Sequence, residues 1–358
     1  MWSFAMNTEI LSNKNLIVKT LKNKSSGSLP LFDKKTFDYH KENSLLYSVR
    51  YGKLFPERSK TAERIASCSQ FLTYEVYKNM VEEDLYKKSV KAYTCKNSFC
   101  SMCQYRKSRR LFTEMYHTLS YLEDVSGRQY SYYFLTLTVK NPPLAELRNT
   151  LKHMSQAFQM MFIRSDSKVF KPVRRVVKGY YRTLEYLGDN TPSGEAHPHY
   201  HILLVMPKKY RPSYPGYISV QEWQSMWRHA LKVDYNPIID IKRVRPSRKK
   251  GASHSAMVSA IAEVTKYSVK PSSVLGLCDD DLRELIIQTK GVQTFTRSKH
   301  FRQLKDLLTL TPDQEVEEAK LWQLVMSEFY SYKSDGYTLR KVEYQNAIDE
   351  ARSMPKEE

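Results

Sequence analysis

The chain has 358 residues, enough for one large or two modest hydrophobic cores. Hydrophobic residues make up 41% and aromatics 12%, which excludes a chain disordered throughout. Lys and Arg number 57 against 38 acids, and the formal charge of +19 favours a polyanionic partner, DNA or RNA, because each neutralised phosphate releases a counterion.

No apolar run reaches the roughly 18 residues of a membrane span, so no membrane association is expected. The opening MWSFAMNTEILSNKNL lacks the basic start and small-residue cleavage site of a secretory signal, and a cytoplasmic location is expected. Residues 1–60 are rich in Ser, Asn and Lys without sustained periodicity and predict a flexible leader. Residues 61–127 predict a small zinc-binding module and a basic helix. Short β-prone pieces, FLTYEVY (71–77) and KAYTC (91–95), flank a charged turn there. Cys95, Cys100 and Cys103 follow C-x4-C-x2-C spacing, with Cys68 upstream. Clustered cysteines in a reducing compartment point to metal rather than disulfides, and four thiolates suit a tetrahedral structural Zn²⁺. His117 competes with Cys68 for the fourth position, and Cys278 stands alone. QYRKSRR follows Cys103 and offers Arg106, Lys107, Arg109 and Arg110 to phosphates. Further basic clusters lie at 171–178 and 242–250.

SYYFLTLTVK (131–140) predicts a strand, stopped by Asn141-Pro142. A helix follows, with Leu144, Leu147, Leu151, Met154, Phe158 and Met161 at three- and four-residue steps. GYYRTLEYL (179–187) and HYHILLVM (199–206) predict a hairpin across the turn-rich GDNTPSGEAHP. Ser219 and Glu222 form a capping box for a helix through Leu231; NPIIDIKRV (236–244) is a fourth strand, and a helix spans about 253–270. The order β-α-β-β-α-β-α over 128–275 predicts an α+β fold: a ferredoxin-like antiparallel sheet with helices on one face and the other free for DNA. Residues 276–358 predict a helical C-terminal region, with an apolar patch at Leu321, Leu324 and Val325.

His199 and His201 share one face of their strand, because side chains alternate with a period of two, and two imidazoles there can grip one cation. Glu185 on the partner strand is a third ligand; His197 either replaces it or supports the ligands from behind. Mixed nitrogen and oxygen donors with open positions suit Mg²⁺ or Mn²⁺ rather than closed-site zinc. Glu263, Tyr267 and Lys270 share one face of the predicted helix at 253–270. A tyrosine with a pKa near 10 needs a cation to stabilise its phenolate, and Lys266, Lys270 and the metal are candidates.

FLTLT (134–138), HPHYHILL (197–204) and EVTKYSVK (263–270), in that order, resemble the three motifs of HUH endonucleases, in particular the plasmid rolling-circle replication initiator (Rep) proteins. The resemblance covers roughly 65–275 and neither end. It implies that His199 and His201 hold the catalytic metal and that Tyr267 is the nucleophile of a single-strand DNA endonuclease, leaving a 5′-phosphotyrosine and a 3′-hydroxyl primer. Glu263 would activate water for a terminating cut. The implied partners are plasmid origin DNA, as a single-stranded or hairpin nick site with flanking duplex, and a host helicase and polymerase; a homodimer is compatible. An HUH transposase shares these features, and a non-catalytic zinc-containing DNA-binding regulator would keep the basic module with structural histidines.

Overall fold

The computed structural model describes residues 34–79, 85–125, 130–164, 167–188, 190–245, 256–265, 271–308 and 322–344. In chain order these form α1 (Lys34–Leu54), α2 (Ser59–Ala66), β1 (Phe71–Asn79), β2 (Leu85–Ala92), α3 (Ser101–Val125), β3 (Tyr130–Thr138), α4 (Leu147–Gln159), α5 (Lys171–Val176) and β4 (Gly179–Glu185). There follow β5 (His199–Pro207), α6 (Val220–Leu231), β6 (Ile239–Arg243), α7 (Ala256–Val264), α8 (Pro271–Gly276), α9 (Asp279–Gln288), β7 (Phe295–Arg297), α10 (Lys299–Leu308), β8 (Trp322–Lys333) and β9 (Gly336–Tyr344). They divide into two compact units, one of 34–106 with 322–344 and a larger one of 107–308. No described helix is long and apolar enough to cross a membrane.

The smaller unit is an antiparallel sheet in the order β2-β1-β8-β9 with α1 and α2. Residues 34–54, expected within a flexible leader, are instead the helix α1. Its buried face is spaced by three and four residues but carries Phe37, His40, Lys41, Ser44, Tyr47, Tyr51 and Leu54, and this polar, aromatic stripe hides the helical period. The expected helical C-terminal region holds for α9 and α10 but not for 322–344, which is the β8–β9 hairpin; Leu321 of its expected apolar patch lies outside the described residues. Gly336 lies in its turn at φ +100, where the Asp38 carboxylate occupies the space a Cβ would take. Asp38 accepts from the Tyr337 backbone N–H at 2.7 Å, and the Tyr337 hydroxyl donates to the Ser69 carbonyl at 2.6 Å. Asp38 and Tyr337, 299 positions apart and in different predicted regions, thus meet in one core.

The larger unit is a five-stranded antiparallel sheet in the order β6-β3-β5-β4-β7. Its first four strands have the ferredoxin-like arrangement, and β7 extends the edge beside β4. The expected pair of helices packs on one face. From α4 come Leu151, Met154 and Phe158, and from α6, held by the expected Ser219–Glu222 capping box, come Trp223 and Trp227. Phe158 meets Tyr180 and Tyr200 edge-on at 5.2 and 5.7 Å. The second face is not free along its whole length. Met115 and Leu119 of α3, Ile261 and Val264 of α7, and Phe301 and Leu304 of α10 cover Tyr132, Tyr181, Leu203 and Val205 there. The Phe301 ring sits where Gly179 would carry a Cβ, so only glycine admits this approach.

Candidate metal centre

Strand pairing sets Glu185 opposite His199, and both Thr183 and Thr136 opposite His201. Because alternation puts positions 199, 201, 203 and 205 on one face, the histidines continue the row of Leu203 and Val205, on the face that α7 covers. Glu185 Oε2 lies 3.4 Å from His199 Nε2, and Oε1 lies 3.4 Å from His201 Nε2. The two Nε2 atoms are 3.0 Å apart. His199 is buried, while Glu185 and His201 keep 17% and 19% of their side-chain surface exposed, so the cluster has one open side.

The hydrogen bonds behind the ligands decide what the front can do. His199 Nδ1 is 2.7 Å from the His197 carbonyl, which only accepts, so the neutral ring carries its proton on Nδ1 and presents the Nε2 lone pair. His201 Nδ1 is 3.4 Å from Thr136 Oγ1. Two ring nitrogens at 3.0 Å facing a carboxylate repel unless a cation or proton lies between them, so the donor set fits a metal ion. Burial alone would raise the Glu185 carboxyl, yet hydrogen bonds from His199 and His201 and their charge outweigh it and bring it down to about 2. Burial works against His199⁺, but the Glu185 carboxylate and the His197 carbonyl raise its pKa overall. These groups can hold a divalent ion or, without one, a proton.

His197 is outside the cluster. Its Nδ1 is 2.7 Å from Asn141 Oδ1, and Asn141 Nδ2 donates to Glu195 Oε2 at 3.2 Å. The β4–β5 loop is tied down further by Asp281 of α9, which accepts from the Ser193 hydroxyl at 2.7 Å and from the Gly194 N–H at 3.0 Å. Asn141 and Asp281 escaped the sequence reading; Asn141 was legible only as a strand stop beside Pro142. Arg182 was also missed. Its buried guanidinium lies between the rings of Phe158 and Tyr200, 4.3 and 4.2 Å from their centroids, beneath the strand that carries the histidines.

Cys68, Cys95, Cys100 and Cys103 form a second cluster, in the smaller unit. Cys103 Sγ is 3.6 Å from Cys68 Sγ and 3.5 Å from Cys95 Sγ. These separations far exceed a disulfide's ~2.05 Å and approach the ~3.8 Å edge of a tetrahedron with zinc–sulfur bonds of about 2.3 Å. Cys68 therefore joins the set. The buried Lys41 ammonium binds the Cys68 carbonyl at 2.8 Å, fixing the turn that presents the thiol. His117 lies on the part of α3 that belongs to the larger unit and is no part of this cluster. Cys278 is exposed and accepts from the Asp281 N–H at the start of α9.

Other expected residues fall differently. Tyr267, Lys266 and Lys270 lie outside the described residues; Glu263 is half-buried on α7. On α3, Arg110 is exposed and Arg106 and Arg109 half-buried. Lys107 departs from the expected phosphate contact: its ammonium donates to Thr294 Oγ1 at 2.7 Å, and burial lowers its pKa.

Residues 86–338 match the family described as Replication protein. Curated relatives include a Protein rep of Bacillus sp, 33% identical over 230 residues that cover 62% of this chain and 69% of the relative. Another, of Bacillus amyloliquefaciens, is 33% identical over 240 residues, 63% of this chain and 66% of its own. A third, of Staphylococcus aureus, is 30% identical over 211 residues, 59% and 82% of the two chains. The chain spans about two thirds of the length of the first two relatives. No solved structure matches. Because the family match takes in more than half of the chain, this protein belongs to the replication protein family.

Proposed function

We propose that the chain initiates rolling-circle replication of a plasmid by cutting one strand of origin DNA with Tyr267. The observation that carries this reading is the convergence of Glu185, His199 and His201 on the sheet face that α7, the helix of Glu263, covers. Three protein donors of mixed nitrogen and oxygen type with one open side suit Mg²⁺ or Mn²⁺, and the four thiols suit a structural Zn²⁺. When bound, the divalent ion polarises the scissile phosphate and offsets charge on the departing oxygen. Tyr267 Oη forms a bond to phosphorus while the bond from phosphorus to the 3′-oxygen breaks. The phenol gives up its proton, and the 3′-oxygen gains one. A 5′-phosphotyrosine and a free 3′-hydroxyl result. Lys266 and Lys270 favour the phenolate, and Glu263 takes a proton from water when the cycle ends by hydrolysis. Arg106, Arg109 and Arg110 bind flanking phosphates, and a host helicase and polymerase take over at the 3′-hydroxyl.

Single-stranded origin DNA incubated with Mn²⁺ is expected to yield a covalent adduct with the unaltered protein and none with Tyr267→Phe. An equal adduct from the variant would remove Tyr267 from its role. A protein that binds DNA but never nicks a supercoiled plasmid would instead be a regulator.

A further inference from the structure

Lys41 of α1 is fully buried in the smaller unit, a place that a lysine ammonium almost never takes without an anion beside it. Its hydrogen bonds run to two neutral groups, the Ala66 carbonyl at 2.5 Å and the Cys68 carbonyl at 2.8 Å, and the centroid of the Tyr332 ring is 5.7 Å away. These dipoles orient the ammonium without neutralising it. Asp38, one turn earlier on α1, is engaged with the Lys34 ammonium and the Tyr337 N–H instead.

The thiol cluster supplies the anion. Cys68 carries both the carbonyl that accepts from Lys41 and one sulfur of the cluster, so the two charges stand closer than the roughly 8 Å over which physiological salt screens them. Burial pulls the Lys41 pKa down, and charge on Cys68, Cys100 and Cys95 pushes it back up. Four thiolates around one Zn²⁺ leave two negative charges uncompensated, and three of these four cysteines are buried. Neutral donors meet that charge only in part. The Cys95 N–H donates to Cys68 Sγ at 3.5 Å. The Ser44 hydroxyl is 3.4 Å from Cys100 Sγ, but its one proton also has the His40 carbonyl to serve at 2.9 Å.

We propose that Lys41 is the counter-ion of the zinc centre: its ammonium offsets one of the two charges, which holds the metal in place and makes the sulfurs poor nucleophiles. The proposal rests on the reading of the four thiols as a zinc site and is independent of strand cutting. Lys41→Gln keeps two N–H donors for the carbonyls and removes the charge, whereas Lys41→Arg keeps the charge. The full chain, loaded with zinc, is titrated with a chromogenic zinc chelator and separately treated with iodoacetamide, whose carbon bonds to sulfur as iodide leaves. Lys41→Gln is expected to bind zinc about 10- to 100-fold more weakly than the unaltered protein, as when other groups that support metal ligands are lost. It should also release zinc faster under iodoacetamide, while Lys41→Arg stays close to the unaltered protein. A folded Lys41→Gln with unchanged affinity and alkylation rate would overturn the proposal and leave the zinc site standing. A folded Lys41→Arg as weak as Lys41→Gln would do the same, by making Lys41 a matter of packing. Should Lys41→Gln fail to fold, the NMR shift of Lys41 Nζ in the unaltered, zinc-loaded protein decides: an ammonium is expected, and a neutral amine defeats the proposal. An unaltered protein that takes up no zinc at all would sink the zinc reading itself, and the counter-ion with it.

Discussion

The two ligand clusters draw on different parts of their units. In the smaller unit, Cys68 lies in the turn after α2, Cys95 in the loop after β2, and Cys100 and Cys103 at the start of α3. Such segments have few backbone bonds of their own, and four thiols leave no position open, so a metal there holds the segments together. In the larger unit, Glu185, His199 and His201 sit on adjacent strands already fixed by continuous pairing. The sheet does not depend on an ion, and its three donors leave an open side. Under the proposed function, the same kind of signal, clustered ligand-type residues, would serve the fold in one unit and chemistry in the other.

The sharpest way to break this contrast is to remove one ligand from each cluster and compare folding. Cys100→Ser is expected to unfold the smaller unit, because zinc binding in small closed sites is worth about 10–16 kcal/mol that the apo chain lacks. Zinc content should fall with the loss of the unit's thermal transition. A variant that keeps its transition after losing metal would show that the cluster is not structural.

His199→Ala is expected to do the reverse. Nicking should fall roughly 100- to 1,000-fold, the scale of the several kcal/mol that a Lewis acid contributes, while the thermal midpoint moves no more than an ordinary substitution of about 1 kcal/mol. Plasmid relaxation and differential scanning fluorimetry read the two quantities separately. Collapse of the fold would mean that this site, too, is structural. One step further from the ion, Asn141→Ala frees the His197 ring and loosens the carbonyl that orients His199. Affinity for Mn²⁺, measured by calorimetry, should drop about 10- to 100-fold, as for other residues that hold metal ligands from behind. Unchanged affinity would show that strand pairing alone orients His199.

The larger unit was the more legible in sequence, for a physical reason. Its central strands are unbroken runs of bulky, β-prone residues buried on both faces, its helices bury aliphatic and tryptophan stripes, and Glu185 follows from hairpin register alone. The extra edge strand β7 is too short, at three residues, to leave a period. The smaller unit hid itself because its helix buries Lys41 and His40 where leucines are expected, and because its sheet joins segments from both ends of the sequence. One local signal was there to be used: Asp335-Gly336 between β-prone runs marks a hairpin turn, whereas Leu321, Leu324 and Val325 happened to fit a helical spacing. Lys107 shows the limit for charge clusters, since a basic run does not reveal which of its members turns inward.

Acid offers the gentlest test of the difference between the units. His40 is buried in the smaller unit, 2.7 Å from Ser101 Oγ and stacked on Tyr105, and burial pushes its pKa down to about 4. Between pH 6.5, the ordinary value, and about 4, the unfolded chain takes up a proton that the folded one refuses, so stability falls as pH falls through this window. From pH 7 to 5 the loss should be about 1–2 kcal/mol. In the larger unit His199 has the opposite sign: its pKa is raised, so its contribution is present below its ordinary value and is lost as pH rises. Glu185 has the same sign as His40 but a lower window, its stabilisation being lost only as pH falls from the ordinary carboxyl value of 4.5 towards about 2. Thiolate protonation also weakens the smaller unit in acid, but equally in a His40→Asn variant. Urea melts of the two proteins at pH 7 and 5 therefore isolate the histidine, and identical pH dependence in both would show that His40 does not set the unit's sensitivity to acid.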